Sequence, residues 1–218
     1  MSCMCGDSEC VGAAEGTRTV DGRQESLAVL RTLWPEGKVL PEFAGPELLG
    51  YSVYAPLRDA MEWPKGFTRF AELLGVRFAV GDTYPHFMPA IKTVELPPPA
   101  FFASDSVAWH ALFHECAHFV HHIEHGHFLK YIVAKRLGML TELWERNWRA
   151  ETEIIAELSA YFAMTRVGII EDPIKTETFV RNWCGKLADP HIVEELLEMS
   201  FVIADKLVET YTEGMQSC

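Results

Sequence analysis

Seven of the chain's nine histidines fall between His110 and His127, and four of them, His110, His114, His118 and His122, recur at every fourth position. On a helix that spacing places them on one face. Within the run stands His114-Glu115-Cys116-Ala117-His118. Two imidazoles one turn apart can grip a single divalent ion, and the carboxylate between them reaches the ion's open coordination position. The chemistry this pattern predicts is peptide-bond hydrolysis. The ion, taken as zinc, lowers the pKa of its water and polarises the carbonyl, while Glu115 accepts the proton and passes it to the leaving amine.

A catalytic zinc site needs a third protein ligand. Where the motif is extended, that ligand is a His six residues after the second His, with a Gly between to turn the chain. Here those positions hold Glu124 and His121, so the chain is not of that type. Another source is a Glu on a second helix, and Glu153 and Glu157 stand one turn apart in an apolar stretch (Ile154, Ile155, Ala156, Leu158, Tyr161, Phe162). Two carboxylates there are costly to bury without a cation or a histidine beside them. Glu153 is preferred as the metal ligand and Glu157 as the residue that orients a ligand His, with the reverse assignment open. The competing interpretation of these five residues is an exposed charged face. A di-iron bundle would need a second Glu-x-x-His pair besides Glu115 and His118, and none exists. His110 and His122 are undecided, while His121, His125, His127 and His191 are read as solvated or hydrogen-bonded. Cys116 lies on the far face of the helix as a packing residue. Cys3, Cys5 and Cys10 are one thiolate short of a structural zinc site, and read as incidental thiols of a tail.

Elements must hold these residues. Leucines and Trp34 at helical spacing over residues 26–34 predict a short helix that Pro35 stops. A helix is expected over residues 67–74, a strand over 76–80, and a second strand over 91–96 whose closing Pro97, Pro98 and Pro99 assign it to a sheet edge. Beyond Ser104 the pattern is helical: 106–125, 128–137, 141–167, 176–187 and 192–212. The expected fold class is therefore α+β, with a small N-terminal sheet, its edge strand over the active-site helix, and a helical C-terminal half. Residues 1–25 read as a flexible, Cys-containing tail, residues 26–218 as one domain, and residues 26–66 as a possible extension of it.

With 218 residues, 49% of them apolar, the chain can bury a substantial core. Nineteen basic against 31 acidic residues give a charge of -12, which repels a phosphate backbone unless a local patch such as Lys130, Lys135, Arg136, Arg146 and Arg149 overrides it. No apolar run reaches the roughly 18 residues of a spanning helix, so no membrane partner is expected. Scattered cysteines and a polar N-terminus predict a cytoplasmic protein.

Together these residues resemble a family: the zincin-like metallopeptidase domain at the C-terminus of ArdC-type antirestriction proteins of plasmids and phages. The likeness runs from about Phe67 to Leu207. It is carried by Thr93-Val94-Glu95-Leu96-Pro97, Phe101-Phe102 and Trp109, by the His114 to His118 motif, and by Glu153-Ile154-Ile155-Ala156-Glu157-Leu158. Trp183, Leu187 and Asp189 complete it. The resemblance implies zinc at His114, His118 and Glu153, with Glu115 as general base, and a protein or peptide substrate. The alternative is a non-catalytic antirestriction protein, binding DNA or protein, with a structural metal site.

Overall fold

The computed structural model describes residue 52 and residues 56–81, 84–169, 173–189 and 192–216. The expected tail and the expected helix over 26–34 lie outside the described residues. Helix α1 (Phe67–Leu74) buries Phe67, Phe70, Ala71 and Leu74, the four apolar positions of its pattern. It ends at Gly75, in the left-handed region at φ 81°, where the amide closes back on the last turn.

A sheet of three strands follows: β1 (Arg77–Val80), β2 (His86–Met88) and β3 (Thr93–Leu96), in the order β1-β3-β2. β1 runs parallel to β3 with Phe78 opposite Val94, and β2 antiparallel to it with Phe87 opposite Val94. An edge strand does face the histidine helix, but it is β2. The segment expected at the edge, 91–96, holds the central strand. Its prolines begin after Leu96, so every amide of β3 remains available to a neighbour, and the prolines end the strand instead of exposing it.

Helix α2 (Asp105–Phe119) is capped by Ser104, whose Oγ accepts from the Val107 amide at 3.3 Å, with Asp105 in the first turn to complement the helix dipole. Ala108, Leu112, Phe113, Cys116 and Ala117 are fully buried, and the small ones let neighbouring helices approach closely. The sequence predicts a regular helix to residue 125. The structure instead widens into a π turn over Val120–Glu124, closed by the His125 amide donating to the Val120 carbonyl at 3.1 Å. Gly126, at φ 68°, reverses the chain into α3 (His127–Arg136).

The long helix α4 (Glu142–Val167) starts at Thr141, whose Oγ1 accepts from the Trp144 amide, and ends at Gly168. Its apolar face packs on α2, and α5 (Pro173–Cys184) and α6 (Val193–Gln216) pack on it in turn. Trp63, Phe67, Trp109, Phe113 and Tyr211 form an aromatic cluster that joins the N-terminal elements to α6. Among the described residues no helix is long and apolar enough to cross a membrane.

Candidate metal centre

Two helices bring the motif residues together. From α2 come His114, Glu115 and His118, one turn of helix holding both imidazoles on the face turned to α4; from α4 come Glu153 and Glu157, likewise a turn apart. His114 Nε2 lies 3.4 Å from Glu153 Oε2, and His118 Nε2 lies 3.9 Å from Glu153 Oε1. A metal with bonds of about 2.0–2.1 Å sets its tetrahedral ligand atoms about 3.3 Å apart, so these gaps are close to those of a loaded site.

Glu157 lies on the other side of the His114 ring. Its Oε2 accepts from His114 Nδ1–H and from His110 Nε2–H, each at 3.0 Å, and its Oε1 accepts from the Thr176 hydroxyl of α5 at 2.9 Å. Burial pushes the Glu157 carboxyl upward, but His110 and His114 overcome that and hold it well below the usual carboxylate range. With Nδ1–H committed to Glu157, it is Nε2 of His114 that faces the Glu153 carboxylate. That approach needs a positive centre between the two atoms, a proton in the metal-free protein or a divalent ion in the loaded site.

Burial lowers His114, yet Glu153, Glu157 and Glu115 around it win, and its pKa stands well above the ordinary value. His118 is driven down to about 4, mainly by burial, and is therefore a neutral imidazole. Burial raises Glu115 to about 7, with His114, His86 and the Phe87 amide pulling the other way. The donor set thus fits a divalent ion: two imidazole nitrogens and one carboxylate, with the Glu115 and Glu157 carboxyls beside them.

The group opens onto a cavity of about 520 Å³ lined by α2, α4, α5 and β2. Tyr84, His86 and Phe87 form the β2 side, while Lys175, Phe179 and Trp183 form the α5 side. Phe179 packs edge-on against the His114 ring at 5.7 Å.

The structure brings together all five residues singled out in the sequence, His114, Glu115, His118, Glu153 and Glu157. It also adds residues that the pattern did not identify. Thr176 and His86 gave no signal, because each is a single polar residue in an unremarkable segment. His110, undecided from sequence, is a partner of Glu157. His121 and His127 correct the sequence reading: both are buried, and the Nδ1 of each lacks a hydrogen-bond partner among the described residues. The π turn and the reversal at Gly126 take them out of solvent. His125 is exposed as expected, and His191 lies outside the described residues.

Residues 65–193 match the model of a family described as zincin-like metallopeptidase. Two crystal structures of the antirestriction protein ArdC from plasmid R388 share the fold. The Mn(II)-bound form aligns with 21% identity and a TM-score of 0.50 over 71% of this chain and 55% of that one. For the metal-free form the values are 20% and 0.50, over 72% and 54%. The chain therefore spans about half the length of these relatives. No curated protein matches it.

Proposed function

The chain belongs to the zincin-like metallopeptidase family, and from that premise we propose that it is a zinc-dependent peptidase, with His114, His118 and Glu153 as metal ligands and Glu115 as general base. The observation that carries the assignment is the division of labour between the two α4 carboxylates. Glu153 stands at the Nε2 side of both histidines, while Glu157 holds the Nδ1–H of His114 and so fixes which nitrogen is offered.

A zinc ion bound there supplies Lewis acidity to water and to the substrate carbonyl. Everything else is done by the chain. Glu115, buried and with a pKa of about 7, can take a proton near neutrality and return it to an amine. His114, and after it His86 and the Phe87 amide, keep that carboxyl from rising further. β2 has one ladder with β3 and, among the described residues, a second side without a strand partner, on which an extended peptide can add as a strand and lay a carbonyl across the cavity. The substrate is accordingly a protein or peptide.

The test is metal content and peptide cleavage by the native protein beside Glu115→Gln and Glu153→Ala. Glu115→Gln should keep its zinc and lose at least about 100-fold in rate, the usual contribution of a positioned general base. Glu153→Ala should lose zinc. Undiminished turnover by zinc-loaded Glu115→Gln would refute the mechanism; zinc retained in Glu153→Ala would move the third ligand. A zinc-loaded native protein that cleaves nothing would favour the non-catalytic antirestriction alternative.

A further inference from the structure

A second histidine cluster lies beyond the end of α2. One ring nitrogen from each of His121, His122 and His127 can be chosen so that all lie within 4.8 Å of one another. The three side chains are 4%, 7% and 9% exposed. Nδ1 of every one lacks a hydrogen-bond partner among the described residues. Leaving a buried nitrogen unsatisfied is costly, and three neighbouring imidazoles sharing that fate call for a ligand that satisfies all of them.

The backbone is shaped to produce this cluster. Residues 121 and 122 are consecutive and in a regular helix would diverge, but both sit in the π turn, where their ring centroids are 5.5 Å apart. Gly126 in the left-handed region then folds α3 back, so that the His127 ring stacks on His121 at 4.2 Å and lies 5.6 Å from His122. Trp148 of α4 covers His122 and His127 at 5.3 Å each.

We propose that His121, His122 and His127 bind a second metal ion, one that takes uncharged nitrogen donors: zinc, or cobalt(II), nickel(II) or copper(II) in its place. Magnesium and calcium want oxygen ligands, which the cluster does not offer. The set shares no residue with His114, His118 and Glu153, so both ions can be held at once. Its role is to pin the π turn to the start of α3, fixing the wall of the cavity that His122 and Trp148 line.

The deciding experiment counts zinc in untagged protein after dialysis, for the native chain, His121→Ala, His127→Ala and His114→Ala. Two equivalents are expected in the native chain and one in each variant. Added zinc should also raise the melting temperature of His114→Ala and leave His114→Ala/His127→Ala unmoved. A native chain holding a single equivalent overturns the proposal, as does a second equivalent that survives both His121→Ala and His127→Ala. Should an alanine variant fail to fold, ¹⁵N imidazole spectra of the native chain decide. Zinc-dependent shifts in three rings besides His114 and His118 support the site, and shifts confined to those two exclude it.

Discussion

Glu157 illustrates how much of a metal centre rests on groups that never touch the ion. It takes hydrogen bonds from His110, His114 and Thr176 while almost wholly buried. Glu157→Gln should leave the fold intact and weaken metal affinity by about 10–100-fold, read by competition with a chelator. A second residue-scale expectation concerns acid. Burial, with the neighbouring histidines adding to it, holds His121 down to about 2 and His122 to about 3, and burial with Lys130 beside it holds His127 to about 4. The unfolded chain, titrating near 6.5, therefore binds more protons than the native one at any pH between those values. The stability that these three rings contribute to the metal-free protein should be complete above 6.5 and fall as pH drops below it, with His118 adding to the fall; His114, Glu115 and Glu151, whose pKa values are raised, work in the opposite sense. The urea midpoint at about pH 5 should lie below that at about pH 7.5, and an unchanged midpoint would contradict the burial of these rings. The four residues His114, His118, Glu153 and Glu157 were legible because helical spacing alone determines which of them share a face. Thr176 was not, since nothing local records that α5 will bring its hydroxyl to Glu157.

At the scale of elements, the ends matter as much as the spans. Ser104 starts α2 by capping the Val107 amide, and Ser104→Ala should cost about 1 kcal/mol in chemical denaturation. Gly126 has open space around its missing Cβ, so the penalty of Gly126→Ala comes from backbone handedness alone, about 1–2 kcal/mol. The helices after Ser104 were foreseen with small boundary shifts, as was α1, because long amphipathic periods survive any reasonable packing. The π turn was invisible: His118 and His122 keep the i, i+4 spacing that a regular helix would show, and the extra width is decided by packing. β2 was missed because three residues are too few to show an alternation, and its presence displaced 91–96 from the edge to the centre.

Across the whole molecule, the last helix seals the two halves together. Leu207 of α6 is fully buried, α6 packs along α4, and Phe201 stacks on Phe162 at 4.5 Å. Leu207→Ala should therefore destabilise by about 2–5 kcal/mol, measured as a shift in the urea midpoint at constant slope. Charge is also a property of the whole: at -12 the chain should show no salt-sensitive binding to DNA in a shift assay, even though Lys130, Lys135, Arg136 and Arg146 are exposed on α3 and α4. The indole of Trp148, lying against the rings of His122 and His127 and in contact with Tyr131, carries an optical consequence. A protonated imidazole quenches an excited indole far better than a neutral one. While His122 and His127 stay neutral, the emission of Trp148 should hold steady from mild alkali to mild acid, and break only where the fold itself gives way.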